Sequence, residues 1–198
     1  MYYPKLWKTG YLAPIYKSGK KSDVENYRGV CVSPNFTIFE IFEFFEIIIF
    51  DQLKFNIFPH LSMSHHGFVP ERRVESNLMV LSVLVNDSFC DSCQTDIFYA
   101  DIRKAFDVIR AILLIYKLSD KKYRLSNQLL LWFLSFFRDR KQVVKINSSK
   151  SFTIEVLSGI GQGSVLASLN FLVYFNDSDC SSPITVDINF ADDKKNCS

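Results

Sequence analysis

With 198 residues, the chain is long enough to bury a sizeable core in one or two domains. Hydrophobic residues make up 48% and charged residues 22%, which excludes a disordered tail. The net charge of +2 is too small to establish a nucleic-acid partner by itself.

The charge is unevenly placed. Residues 1–30 carry Lys5, Lys8, Lys17, Lys20, Lys21 and Arg28 against Asp23 and Glu25. Residues 138–150 carry Arg138, Arg140, Lys141, Lys145 and Lys150 against Asp139. Both surfaces suit phosphate contacts or a solvated face. Met1 is followed by charged residues without an apolar core, so no signal peptide is expected.

In chain order, "TGYLAPIYKSGKKSD" reads as a strand and a basic turn, returning through "NYRGVCVS". "FTIFEIFEFFEIIIF" predicts a helix over about 37–55. Its Glu40, Glu43 and Glu46 share one stripe, which makes the helix amphipathic or buried rather than membrane-spanning. After the loop "PHLSMSHHGFVPERR" a second helix is expected from about Glu75 to Asp87. "TDIFYAD" predicts a strand ending on Asp101, and "AFDVIRAILLIYKL" has helical period. "SNQLLLWFLSFFRDR" is a further helix with positions 129, 132, 133, 136 and 137 on one side. "QVVKINSSKSFTIEVL" is a hairpin candidate turning on Asn and Ser. "SGIGQGS" opens the helix "VLASLNFLVYFND" with Ser164 as its expected N-cap, and "ITVDINF" is a last strand before Asp192 and Asp193. Helices and strands without strict βαβ alternation predict an α+β fold.

Asp101 and the pair Asp192–Asp193 each follow an apolar strand, where a carboxylate can be held rigidly at a sheet edge. Mg²⁺ takes hard oxygen ligands and keeps several waters, so carboxylates from two strands plus a substrate phosphate make a suitable site. Two such ions about 3.5–4 Å apart would steady both oxygens of an in-line displacement. By itself an Asp-Asp pair after a strand is more often a turn.

Gly159 and Gly161 offer a competing dinucleotide-binding reading, but position 164 is Ser rather than the third glycine. A nicotinamide-dependent oxidoreductase also lacks an acidic residue in a convincing ribose position. In either reading, free N–H groups beyond Gly163 would make a seat for phosphate. Of the five cysteines, Cys90 and Cys93 form a CxxC with no second pair at zinc spacing. Ordinary thiols of an intracellular protein are therefore expected.

"YADIRKAFD", "SGIGQGS" and "FADD", in that order, resemble the palm motifs of reverse transcriptases of non-LTR retrotransposons. "WKTGYLAPIYKSGKKSDVENYRGV" and "HHGFVPERRVESNL" resemble that family's fingers segment and the motif after it. The resemblance implies a right-hand polymerase with fingers over about 1–75 and 119–154, palm over about 76–118 and 155–198, and no thumb. It implies RNA-templated DNA synthesis from dNTPs with two Mg²⁺ (Mn²⁺ as a substitute) on an RNA template and DNA primer. Asp101, Asp192 and Asp193 match the catalytic, metal-binding carboxylates. Phe106 matches the residue that stacks under the incoming sugar and favours dNTPs over rNTPs. Gln162 matches the glutamine lining the nucleotide site, and Lys17 and Arg28 match basic residues that hold the triphosphate.

The chain departs from the family pattern at several positions. Gly161 and Gly29 replace prolines, Ala167–Ser168 replaces Gly-Pro, His65 replaces Gln, and Asn170 replaces an apolar residue. Only "KKNCS" follows Asp193, so the returning strand is expected to be absent or very short. The thumb and the element's endonuclease fall outside the chain. No membrane contact is implied, and the setting is intracellular, in the nucleus or a cytoplasmic ribonucleoprotein. These 198 residues are expected to be inactive alone. The alternative is a non-catalytic nucleic-acid-binding remnant of a decayed element.

Overall fold

The computed structural model describes residues 3–32, 36–160, 164–179 and 185–197. Their elements are β1 (Thr9–Tyr16), β2 (Tyr27–Val32), α1 (Phe36–Ile57), α2 (Val74–Cys90), β3 (Ile97–Asp101), α3 (Ala111–Leu118), α4 (Asn127–Phe137), β4 (Lys141–Ile146), β5 (Ser149–Lys150), β6 (Ile154–Glu155), α5 (Val165–Phe175), β7 (Val186–Phe190) and β8 (Asp193–Cys197).

The strands form two sheets. One runs β2-β1-β4-β5, with β6 pairing β4 as well; its β1–β4 pair is parallel, the rest antiparallel. The other is antiparallel, in the order β3-β8-β7. This mixed arrangement matches the α+β expectation.

Packing follows the apolar pattern most closely in α4, which buries Trp132, Phe133, Phe136 and Phe137 on one face. Ser126 accepts the Leu129 N–H at 3.3 Å and starts that helix. Tyr3 packs edge-on to Trp132 and Phe136, with ring centroids 5.9 and 4.9 Å away. α5 is central, with Leu166, Ala167, Leu169, Asn170, Phe171, Leu172 and Val173 all buried. Burying one Leu or Phe side chain is worth about 1.5–3 kcal/mol, so this helix organises the core. Among the described residues, no helix is long and apolar enough to cross a membrane.

Four expectations are corrected. Helical period extends back to Ala105, yet α3 begins only at Ala111. Residues 102–110 turn instead, with Lys104 left-handed at φ 55°, because the Phe106 and Ile109 carbonyls accept from Ile160 and Gly159. The returning strand is neither absent nor very short: β8 is the middle strand of its sheet. Its polar composition is tolerated because both lysines find partners. Lys194 pairs with Asp187 and donates to the Ser178 carbonyl, while Lys195 donates to Asn77 Oδ1 at 2.6 Å.

The third correction concerns the glutamate stripe. Glu46 is 0% exposed while Phe44 and Phe55 on the same helix are 65% and 73% exposed. The fourth follows from it. Ser164 is the N-cap of α5, as expected, and its hydroxyl donates to Glu46 Oε2 at 2.7 Å rather than accepting from a helix amide. The same carboxylate oxygen accepts from Val165 N at 2.7 Å and Leu166 N at 3.4 Å. The phosphate seat expected at this helix start is thus filled by a carboxylate from α1.

Candidate active site

The three-stranded sheet places the aspartates through its register. Asp101 ends β3 directly opposite Asp193, the first residue of β8, and Asp193 in turn faces Phe190 of β7. Facing residues of this kind have Cβ atoms about 4.5–5.5 Å apart. Asp192 lies between the strands, after Ala191 in the left-handed region at φ 53°. Its carbonyl accepts from Ile102 N at 3.2 Å, which ties the turn to the residue after Asp101.

None of the three carboxylates makes a side-chain hydrogen bond or ion pair among the described residues. Facing like charges repel, so a divalent cation would relieve the Asp101–Asp193 pair. No group of three His, Cys, Asp or Glu among the described residues is gathered closely enough to enclose a metal. The donor set is open: two hard-oxygen groups in register with a third on the turn. In proteins generally, Mg²⁺ takes one or two carboxylates, with waters and substrate phosphates completing its shell.

A backbone frame positions the turn. Residues 64–66 run beside β7, with His66 N donating to Asn189 O and Asn189 N to Ser64 O, both at 2.8 Å. Asp179 locks this segment. It accepts from Ser62 Oγ at 2.5 Å, Ser64 Oγ at 2.9 Å and Asn189 Nδ2 at 3.0 Å. Arg72 donates to the Met63 and His65 carbonyls at 2.9 and 2.5 Å. Gly67 then meets the turn itself, where a Cβ would stand 2.4 Å from Ala191 N. Burial lowers the His65 imidazole pKa below its ordinary value, against the pull of Asp179.

Phe106 sits half-buried in the turns that follow Asp101. Its ring stacks on Phe171 of α5 at 5.0 Å and meets Phe68 edge-on at 6.0 Å. Its carbonyl accepts from Ile160 N at 3.0 Å. Gly159 is required just before, at φ 89° and with its Cβ position 3.0 Å from Asp107 Cα. Gln162 and Gly161 lie outside the described residues.

Lys17 and Arg28 are on the other sheet. Arg28 faces Ile15 across the β1–β2 ladder, and Lys17 N continues that ladder to Asn26 O at 2.8 Å. Alternation puts both side chains on one face of the hairpin, exposed. The structure therefore places the three aspartates at one end of the three-stranded sheet, with Phe106 in the turns after Asp101, and the two cations on the other sheet.

Sequence reasoning missed Glu46, Gly67 and the Asp179 clamp. Glu46 had a signal, a carboxylate in an otherwise apolar helix. Ser62, Ser64 and Asp179 had none, since hydroxyls and an aspartate far apart in sequence read as loop residues.

No protein-family model matches the chain. Among curated proteins it is 27% identical over 192 residues to the RNA-directed DNA polymerase from the mobile element jockey of Drosophila melanogaster, covering 93% of this chain. It is 26% identical over 179 residues, 89% of this chain, to the probable RNA-directed DNA polymerase from transposon X-element of the same organism. The chain spans about a fifth of each relative's length, 20% and 19%. Among solved structures it is similar to Candida tropicalis apo telomerase truncated from the C-terminal domain, with TM-score 0.58 and 12% identity over 97% of this chain and 44% of that one. The telomerase in complex with the TWJ fragment of telomeric RNA gives TM-score 0.57 and 11% identity over 97% and 36%. At these identities the telomerases show a shared fold.

Proposed function

We propose that this chain, a relative of the jockey and X-element polymerases, is the fingers and palm of an RNA-directed DNA polymerase that adds dNTPs to a primer 3′-hydroxyl on an RNA template. The observation that carries the reading is Asp101 directly opposite Asp193, with Asp192 in the adjoining turn. The palm is then about 76–118 and 155–198, with the three-stranded sheet and α5, and the fingers about 1–75 and 119–154. That the telomerase similar in fold was solved with an RNA fragment supports an RNA partner.

Asp101, Asp192 and Asp193 would hold two Mg²⁺, whose charge steadies the attacking and leaving oxygens of the displacement. The chain's own residues supply the rest. Lys17 and Arg28 bind the triphosphate, Arg28 through the planar fork of its guanidinium. Phe106, its ring braced by Phe171 and Phe68, crowds the sugar and rejects a 2′-hydroxyl. Gln162, between Ile160 and Ser164, lines the nucleotide.

Primer extension on an RNA template with Mg²⁺ and dNTPs tests this. Asp101→Asn and Asp192→Asn should each abolish incorporation, and incorporation that survives either unchanged overturns the assignment. Template-primer binding that weakens steeply with salt, with no incorporation by the unaltered chain, would instead support a non-catalytic nucleic-acid-binding role.

A further inference from the structure

We propose that Glu46 is a positioning residue: a buried carboxyl group carried by α1 that fixes the start of α5 and, through that helix, the loop bearing Phe106. The carboxylate is fully buried and accepts three hydrogen bonds on one oxygen, from Ser164 Oγ, Val165 N and Leu166 N. Serine at an N-cap ordinarily accepts from the second or third helical amide. Here the Ser164 hydroxyl is spent as a donor, so the cap comes from a different element. Glu46 Oε1 has no hydrogen-bond partner among the described residues, and neither does the buried Nη1 of Arg140, whose charge acts on Glu46. Burial pushes the Glu46 pKa above its ordinary value, against the three hydrogen bonds from the helix start and the charge of Arg140, which favour the ionised form.

Rigid-body geometry carries the effect onward. Within the same short helix, Phe171 stacks on Phe106. Phe106 in turn holds Ile160 through its carbonyl, and Gly159 N bonds the Ile109 carbonyl. Ile160 is thus anchored on the Phe106 loop and Ser164 on Glu46. A shift of α5 reaches both. Among the described residues Glu46 is the group from outside that fixes the Ser164 end.

Amide hydrogen exchange on the full chain tests this without requiring activity. Glu46→Ala should speed exchange at Val165 and Leu166 by about fivefold or more, and should also speed it at Ile160. Glu46→Gln, which keeps shape and one acceptor oxygen, should show the same pattern more weakly; it decides the matter if Glu46→Ala does not fold. Acceleration confined to Val165 and Leu166, or none at all, overturns the proposal by reducing Glu46 to a local cap.

The catalytic consequence rests on the polymerase reading. Glu46→Gln should raise the KM for dNTP more than it lowers kcat, and should narrow the preference for dNTP over rNTP. An active chain whose KM and sugar preference ignore Glu46→Gln overturns that part. A wild-type chain that extends no primer supports the non-catalytic reading of these residues on their own, and exchange at Ile160 still decides the role of Glu46.

Discussion

Gly67→Ala is the substitution that presses hardest on the aspartate turn. A Cβ there would lie 2.4 Å from Ala191 N, 3.1 Å from Ala191 Cα and 3.2 Å from Phe190 C. Ordinary contacts begin near 3.4 Å, so about 1 Å of separation has to be created. All three obstacles are backbone, and no rotamer change relieves them. If the 64–67 segment recoils, it gives up the His66–Asn189 and Asn189–Ser64 backbone bonds. At about 1 kcal/mol each that is roughly 2 kcal/mol, and overpacking costs of about 1–3 kcal/mol set the same scale. If the turn yields instead, Asp192 moves by about 1 Å, a misplacement that can lower a catalytic rate about 10²-fold.

The expected outcome is a loss of about 2–3 kcal/mol in urea unfolding, with Tm lower by roughly 4–12 °C. Primer extension should fall about 10²-fold. Gly29→Ala is the control. Its Cβ would meet the Leu12 side chain, nearest at Cδ2, 3.3 Å away, and that side chain can rotate away. Gly67→Ala with an unchanged Tm and undiminished extension would refute the reasoning. So would a Gly29→Ala variant equally damaged, since the loss would then follow glycine itself rather than its neighbours.

Asn170 is 1% exposed, with neither amide atom hydrogen-bonded among the described residues. Asn170→Leu keeps the branching at Cγ and should stabilise by about 1–2 kcal/mol in urea; destabilisation would mean the amide has a partner. His65 has its pKa lowered by burial, so its contribution is fully present above the ordinary value of 6.5 and is lost as pH falls through the lowered folded value. His65→Gln should flatten the acid limb of stability against pH below 6.5, and a variant keeping the full slope would place the titration elsewhere. Asp179→Asn replaces an all-acceptor group with one that presents an N–H₂ to three donors. It should cost about 1.5–3 kcal/mol and add less than its full loss to Gly67→Ala, because both free the same segment.

Periodicity and turn chemistry made much of the fold legible. The β1–β2 hairpin, α4 and the β3 strand ending on Asp101 are local patterns that tertiary contacts reinforce. What stayed hidden depends on bonds between distant segments. Residues 105–110 have helical period, but the Phe106 and Ile109 carbonyls accept from Ile160 N and Gly159 N instead of from helix amides. "KKNC" reads as a polar end, yet it is a central strand because Asp187, Asn77 and the Tyr99 ring receive its lysines. The aspartates stood out in the sequence because each follows an apolar strand and matches a motif of the family the chain resembles. Their support did not, because Gly67 and Asp179 matter only through what they touch.

These features share one logic. The frame around the turn is bonded at several points: the 64–66 backbone to β7, Asp179 to two serines, Arg72 to two carbonyls, and Phe106 packed on α5. The three carboxylates are bonded to nothing among the described residues. Placement is therefore supplied by backbone and by aromatic packing, and the carboxylates keep all their lone pairs. Aspartates used as structural caps would show the reverse, short bonds to nearby N–H groups and little freedom for a ligand. It also follows that damage to the frame and damage to the carboxylates should separate. Asp101→Asn should leave the unfolding midpoint nearly unchanged or raise it slightly by removing a facing like charge, whereas Gly67→Ala and Asp179→Asn should lower it.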